Sequence, residues 1–172
     1  MTTTSQVPAV IDWLVAAAQA SPALGASASA PVVVLDGPEV TADTLAEPLH
    51  LWVGWDQEAT GSADAEATQT WPVLDKARTR DEDGAITCTA DAWSGDTAMK
   101  TQRDSCAAIV AAVELLLRGT PAAGGPGDAS MGGLVLWSQV AGPFTWHPRQ
   151  TADGAGCACV FRVTYRARLT TS

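Results

Sequence analysis

Cys157 and Cys159 are one residue apart, a spacing that turns two thiols to the same side of a strand, where together they could grip one metal ion. Cys88 and either histidine, His50 or His147, could complete a four-ligand set. Zinc sites more often present Cys-x2-Cys on a turn, where backbone N–H groups also meet the sulfurs. The two sulfurs also continue an apolar row through Phe161, Val163 and Tyr165, and buried thiols behave as small hydrophobes. We therefore assign no metal. The glycines between Gly119 and Gly133 are not followed by the Lys and Ser/Thr of a phosphate loop, and neither Gly-x-Ser-x-Gly nor His-Glu-x-x-His occurs. A Cys–His or Ser–His pair could still meet in space. The residue types predict no catalytic residue and no cofactor.

The charged residues are more informative. Residues 1–75 contain no lysine or arginine but ten of the nineteen acids, so the net charge of -9 is segregated along the chain. Opposite patches on one small domain attract each other between copies, although neighbouring strands of one subunit could equally neutralise each other. Asp56, Glu58, Asp64 and Glu66 form the candidate acidic edge, and Arg162, Arg166 and Arg168 its basic counterpart. Arginine's planar fork suits paired carboxylates, while a solvated outer face is the plain alternative. The acidic balance argues against general nucleic-acid binding.

Elements must position these groups. The 172 residues suffice for one domain with a real core. Val7, Val10, Ile11, Leu14, Val15 and Ala18 recur at helical spacing, predicting a helix from about Pro8 to Ala20 with Ser5 as cap. Strands follow at Val32 to Leu35, closed by a turn at Asp36-Gly37-Pro38, and at Leu49 to Trp55, which is apolar on both faces. Asp56 to Gln69 lacks period and reads as a mobile acidic loop. Thr70 to Thr79 and Ala85 to Trp93 read as hairpin arms around a turn at Arg80 to Gly84. Ser94 to Thr97 offers a cap for the longest helix, about Ala98 to Arg118, and Gly119 to Gly133 is a Gly/Pro-rich loop. A strand from Leu134 to Trp146 is interrupted near Gly142-Pro143, and Asp153-Gly154 turns it into a last strand. There Cys157 to Leu169 alternate with Arg162, Thr164, Arg166 and Arg168. The prediction is an α+β domain: two main helices on an antiparallel or mixed β-sheet.

Seven tryptophans stand against one tyrosine. Most read as large core residues between helix and sheet; Trp55 and Trp146, each beside a loop, are the candidates for partial exposure at an interface. The N-terminus lacks the basic and apolar regions of a signal peptide, and no membrane span is expected.

Several strings and their order resemble the tail terminator and tail-completion, or head-tail joining, proteins of long-tailed bacteriophages. These are the opening helix Val7-Pro8-Ala9-Val10-Ile11-Asp12-Trp13-Leu14, the strand Val32 to Pro38, and Leu51-Trp52-Val53-Gly54-Trp55-Asp56. Trp93-Ser94-Gly95-Asp96 before a long helix and the closing Tyr165-Arg166-Ala167-Arg168-Leu169 complete the set. The resemblance implies an α+β virion protein that self-associates as a homo-oligomeric ring, a hexamer, assembled in the bacterial host cytoplasm. The ring caps the tail tube protein and joins it to head-tail connector proteins, with DNA passing through its lumen without specific binding. It implies no cofactor and no reaction. Another neck, tube or minor tail subunit, and a small cytosolic enzyme or ligand-binding domain, are the alternative readings.

Overall fold

The computed structural model describes residues 4–38, 46–56, 64–71, 79–118 and 127–170. Helix α1 spans Val7–Ala20, with Pro8 in its first turn, where a missing N–H breaks no helical bond. The expected cap is corrected: the N-cap position is Gln6, without a side-chain capping bond, while Ser5, one residue further out, accepts the Val7 N–H on its Oγ at 3.2 Å. Helix α2 spans Met99–Leu116. The Asp96 carboxylate accepts the Ala98 N–H at 2.9 Å just before α2, which satisfies a donor that the first turn leaves open.

The strands are β1 (Val33–Asp36), β2 (Leu49–Val53), β3 (Ala65–Thr70), β4 (Thr79–Ser94), β5 (Trp137–Thr151) and β6 (Gly154–Thr170). They form one mixed sheet in the order β1-β2-β4-β6-β5. β1 and β2 run parallel and every other pair is antiparallel. β2 pairs with Cys88 to Ala92 of β4 and β3 with Asp81 to Ile86, so the two short strands lie end to end along one side of β4. The fold is α+β, as the alternation of periods predicts.

Both helices cover the same face. Val10, Leu14 and Ala18 of α1 and Cys106, Ile109 and Val113 of α2 pack on a sheet row of Leu51, Val53, Ile86, Cys88, Cys159, Phe161, Val163 and Tyr165. The alternating pattern of β6 is borne out from Cys157 to Leu169, with every second side chain buried against the helices. β2 is buried on both faces: Leu51 and Val53 point to the helices, while His50 and Trp52 are buried on the opposite side, where Trp52 stacks with His50 and meets Trp55 edge-on. The expected interruption of β5 is a register shift between Ala141 and Thr145, and the turn before Gly154 joins β5 to β6.

Further expectations are corrected. Of the tryptophans, expected mostly as core between helix and sheet, only Trp52 is buried, on the side away from the helices, and Trp71, Trp93, Trp137 and Trp146 are exposed. Residues 57–63 of the expected acidic loop lie outside the described residues, but Ala65 to Thr70 is a strand, because β4 extends far enough to offer it a full backbone ladder. Likewise Arg80 to Gly84 is not a turn but the beginning of a 16-residue strand, and the hairpin partner of β4 is β3. Residues 72–78 of the expected first arm, and 119–126 of the Gly/Pro-rich segment, lie outside the described residues. Gly84 is the physical reason that a turn-like string stays extended. A Cβ there would come within 2.3 Å of the Tyr165 ring, so the missing side chain makes room for an aromatic across the ladder.

Candidate functional site

Because side chains alternate along strands, Asp81 and Asp83 of β4 face away from the helices, on the same side as Arg166 and Arg168 of β6. The register sets Asp81 opposite Arg168 and Asp83 opposite Arg166. Arg168 Nε donates to Asp81 Oδ1 at 2.8 Å, and Arg166 Nη2 reaches Asp81 Oδ2 at 3.1 Å. Arg166 also lies 3.8 Å from the Asp83 carboxylate. Further along the strand, Arg162 Nη1 donates to Glu66 Oε1 of β3 at 2.8 Å. At the far end Arg149 of β5 bridges Asp91. The hydrogen bond from Arg168, followed by that from Arg166, holds the Asp81 carboxyl below its usual range.

The basic ladder thus exists, and its carboxylates come from its own subunit. Of the expected acidic edge, Glu66 joins the ladder directly. Asp56 and Asp64 instead fasten the junction between β2 and β3: Asp64 Oδ1 accepts the Asp56 N–H at 2.9 Å, and its backbone oxygen accepts the Thr87 N–H at 2.8 Å. Glu58 lies outside the described residues. Trp55 is half-buried against Trp52, and its carbonyl accepts the Thr89 hydroxyl. Trp146 is 40% exposed on β5.

Sequence reasoning missed Asp81, Glu82 and Asp83 as paired groups, because a run of acids before glycine reads as a turn. The available signal was the period of two: Glu82 and Gly84 continue the row of Ile86 and Cys88 toward the helices. Glu82 is fully buried there, accepting hydrogen bonds from Tyr165 Oη and the Gln6 N–H, both at 2.8 Å, and from Gln69 Nε2 at 2.6 Å. Burial works to raise this carboxyl, yet donors from Gln69, Gln6, Tyr165 and Ser5 together outweigh it and hold it below the usual range. The Thr4 carbonyl accepts from Gln69 and Arg80, so the start of α1 is strapped to β3 and β4. Burial, with Glu82 second, pushes the Tyr165 phenol up.

The thiols lie inside. Cys106 Sγ donates to the Cys157 carbonyl at 2.9 Å, and all four cysteines are free and buried. Desolvation pushes Cys88 up to about 12 and Cys159 to about 11, which leaves almost no thiolate near neutrality. Among the described residues no three of His, Cys, Asp and Glu gather as metal ligands would.

The face of the sheet away from the helices thus carries charge pairs beside buried groups such as Trp52 and Thr89, and large apolar side chains are exposed at Trp71, Trp93, Leu115 and Leu136 as well as on β5. Trp137, Phe144 and Trp146 are 41%, 48% and 40% exposed along this edge strand. No described helix is long and apolar enough to cross a membrane. Comparison of the chain with protein-family models and with curated proteins returns no match.

Proposed function

We propose that the protein is a virion structural protein: a tail terminator subunit that forms a ring, caps the tail tube and joins it to the head connector. The observation that carries this reading is the edge strand β5, 15 residues long, which exposes three large aromatics, Trp137 on the face away from the helices, Trp146 on the helix face and Phe144 at the register shift. An edge strand is a template for another chain; β5 blunts part of its edge with Pro143, Pro148 and the shift between Ala141 and Thr145, yet leaves large apolar side chains exposed along it. The order of the helix and strand strings, which runs through nearly the whole chain, supplies the specific assignment to tail completion.

Light scattering with negative-stain imaging tests the reading. Purified protein is expected as single closed rings, alone or on the ends of tail tubes. Long tubes would replace this assignment by that of a tube subunit, and a monomer that leaves tube ends bare would overturn assembly altogether.

A further inference from the structure

Among the described residues the sheet has three edges, β1 with four residues, β3 with six and β5 with fifteen, and β1 and β5 are the two at the ends of the strand order. Beside β1 lies a groove of about 440 Å³, walled by Gln19 of α1, by Ala26 and Pro31 of the connector, and by Val33 and Glu47. Gln19 Nε2 reaches the Val34 carbonyl at 3.3 Å, a long bond to an edge oxygen that a neighbouring strand's N–H could replace. On the β5 edge, Trp146 sits opposite Cys159 and so stands on the helix side of the sheet, the side on which α1 walls the groove.

We propose that β5 of one copy pairs with β1 of the next, seating Trp146 in the groove between α1 and β1. This rests on the ring reading above and names the two surfaces that would make the ring. Strand direction supports it. Following the pairings across the sheet, β1, β2 and β6 run one way and β4 and β5 the other. Rotation about an axis near the strand direction preserves these senses, so β1 of the next copy meets β5 antiparallel, the slightly more stable ladder. Length agrees as well. Pro143 and Pro148 interrupt the donors of the edge, since a sheet proline keeps its nitrogen away from the neighbouring strand. Phe144 to His147 lies between them, a proline-free stretch as long as β1 that contains Trp146, with Thr145 to His147 in ladder register.

β5 contains no acid, so it brings no carboxylate against Asp36 at the end of β1 or Glu47 of the groove. The contact is heterologous, so each copy keeps one free edge for the next until the ring closes.

Trp146→Glu and Ala26→Arg, the latter at an exposed position on the groove wall, test the pairing in the full chain by light scattering and far-UV circular dichroism. Each is expected to weaken association about tenfold or more while leaving the helix and strand signal intact. A mixture of Trp146→Cys chains with Ala26→Cys chains is expected to give cross-linked dimers on mild oxidation. Rings that persist in both variants, without cross-links in the mixture, would overturn the edge pairing and leave the ring reading standing. A wild-type chain that stays monomeric at every concentration would overturn both. Should Trp146→Glu fail to fold, Ala26→Arg and the cross-link decide.

Discussion

Glu82 is a carboxylate placed where the row along β4 calls for an apolar side chain, and it is tolerated because Tyr165, Gln6 and Gln69, with Ser5, donate to it. Tyr165→Phe removes one donor and is expected to cost about 1–2 kcal/mol in urea unfolding. Glu82→Ala strands all of these donors, for about 2–4 kcal/mol. Both Glu82 and Asp81 have folded-state pKa values depressed below their ordinary 4.5 and 3.8, so their contribution is full above those values. It drains away as pH falls through the folded-state values. Urea midpoints measured from pH 7 downward should therefore begin to fall near the ordinary glutamate value, and Glu82→Gln should flatten that part of the fall. Gly84→Ala pushes a Cβ into the Tyr165 ring and is expected to cost about 1–3 kcal/mol by overpacking, measured in the same way.

At the scale of elements, α2 is held by one face. Ile109 is 3% exposed and Leu115 is 52% exposed. Ile109→Ala is expected to cost about 2–5 kcal/mol, and Leu115→Ala less than about 0.5 kcal/mol, by chemical denaturation. The β4–β6 ladder makes a different kind of statement. Arg162, Arg166 and Arg168 meet Glu66, Asp81 and Asp83 of their own subunit, so reversing all three arginines to glutamate acts on the sheet itself before it acts on any partner. The triple variant is expected to unfold at lower urea, with the deficit shrinking as salt is added, because exposed charges are screened. If unfolding is unchanged while assembly weakens, the ladder serves the partner rather than the subunit.

For the molecule as a whole, among the described residues, the two helices close one face of a single sheet, and the other face carries charge pairs and the Trp52 cluster. Four thiols sealed under those helices give a direct readout of that closure. A thiol reagent at pH 8 is expected to label none of them rapidly, and all four together in denaturant. Rapid labelling of Cys106 or Cys157 in the native protein would mean that α2 lifts from the sheet without global unfolding. Among the described residues the edges of the sheet are β1, β3 and β5, of which the proposed pairing uses the first and the last.

The sequence by itself determined both helices, the sites of β1, β2, β5 and β6, and the facing of the last strand. Each rests on a local period: 3.6 residues for Val10, Leu14 and Ala18, two for Cys157 to Leu169 against Arg162 to Arg168. It also pointed to Trp146 at an exposed place beside a break in its strand. Only the tertiary structure decided that Arg80 to Gly84 is extended and that Ala65 to Thr70 joins the sheet. In both segments the local signals favour turn or loop, and the partners that override them come from far along the chain: Tyr165, Arg166 and Arg168 for the first, the flank of β4 for the second. The charge segregation is legible in composition. Which carboxylate each arginine takes is set by strand register, a property of pairings between residues as distant as Glu66 and Arg162.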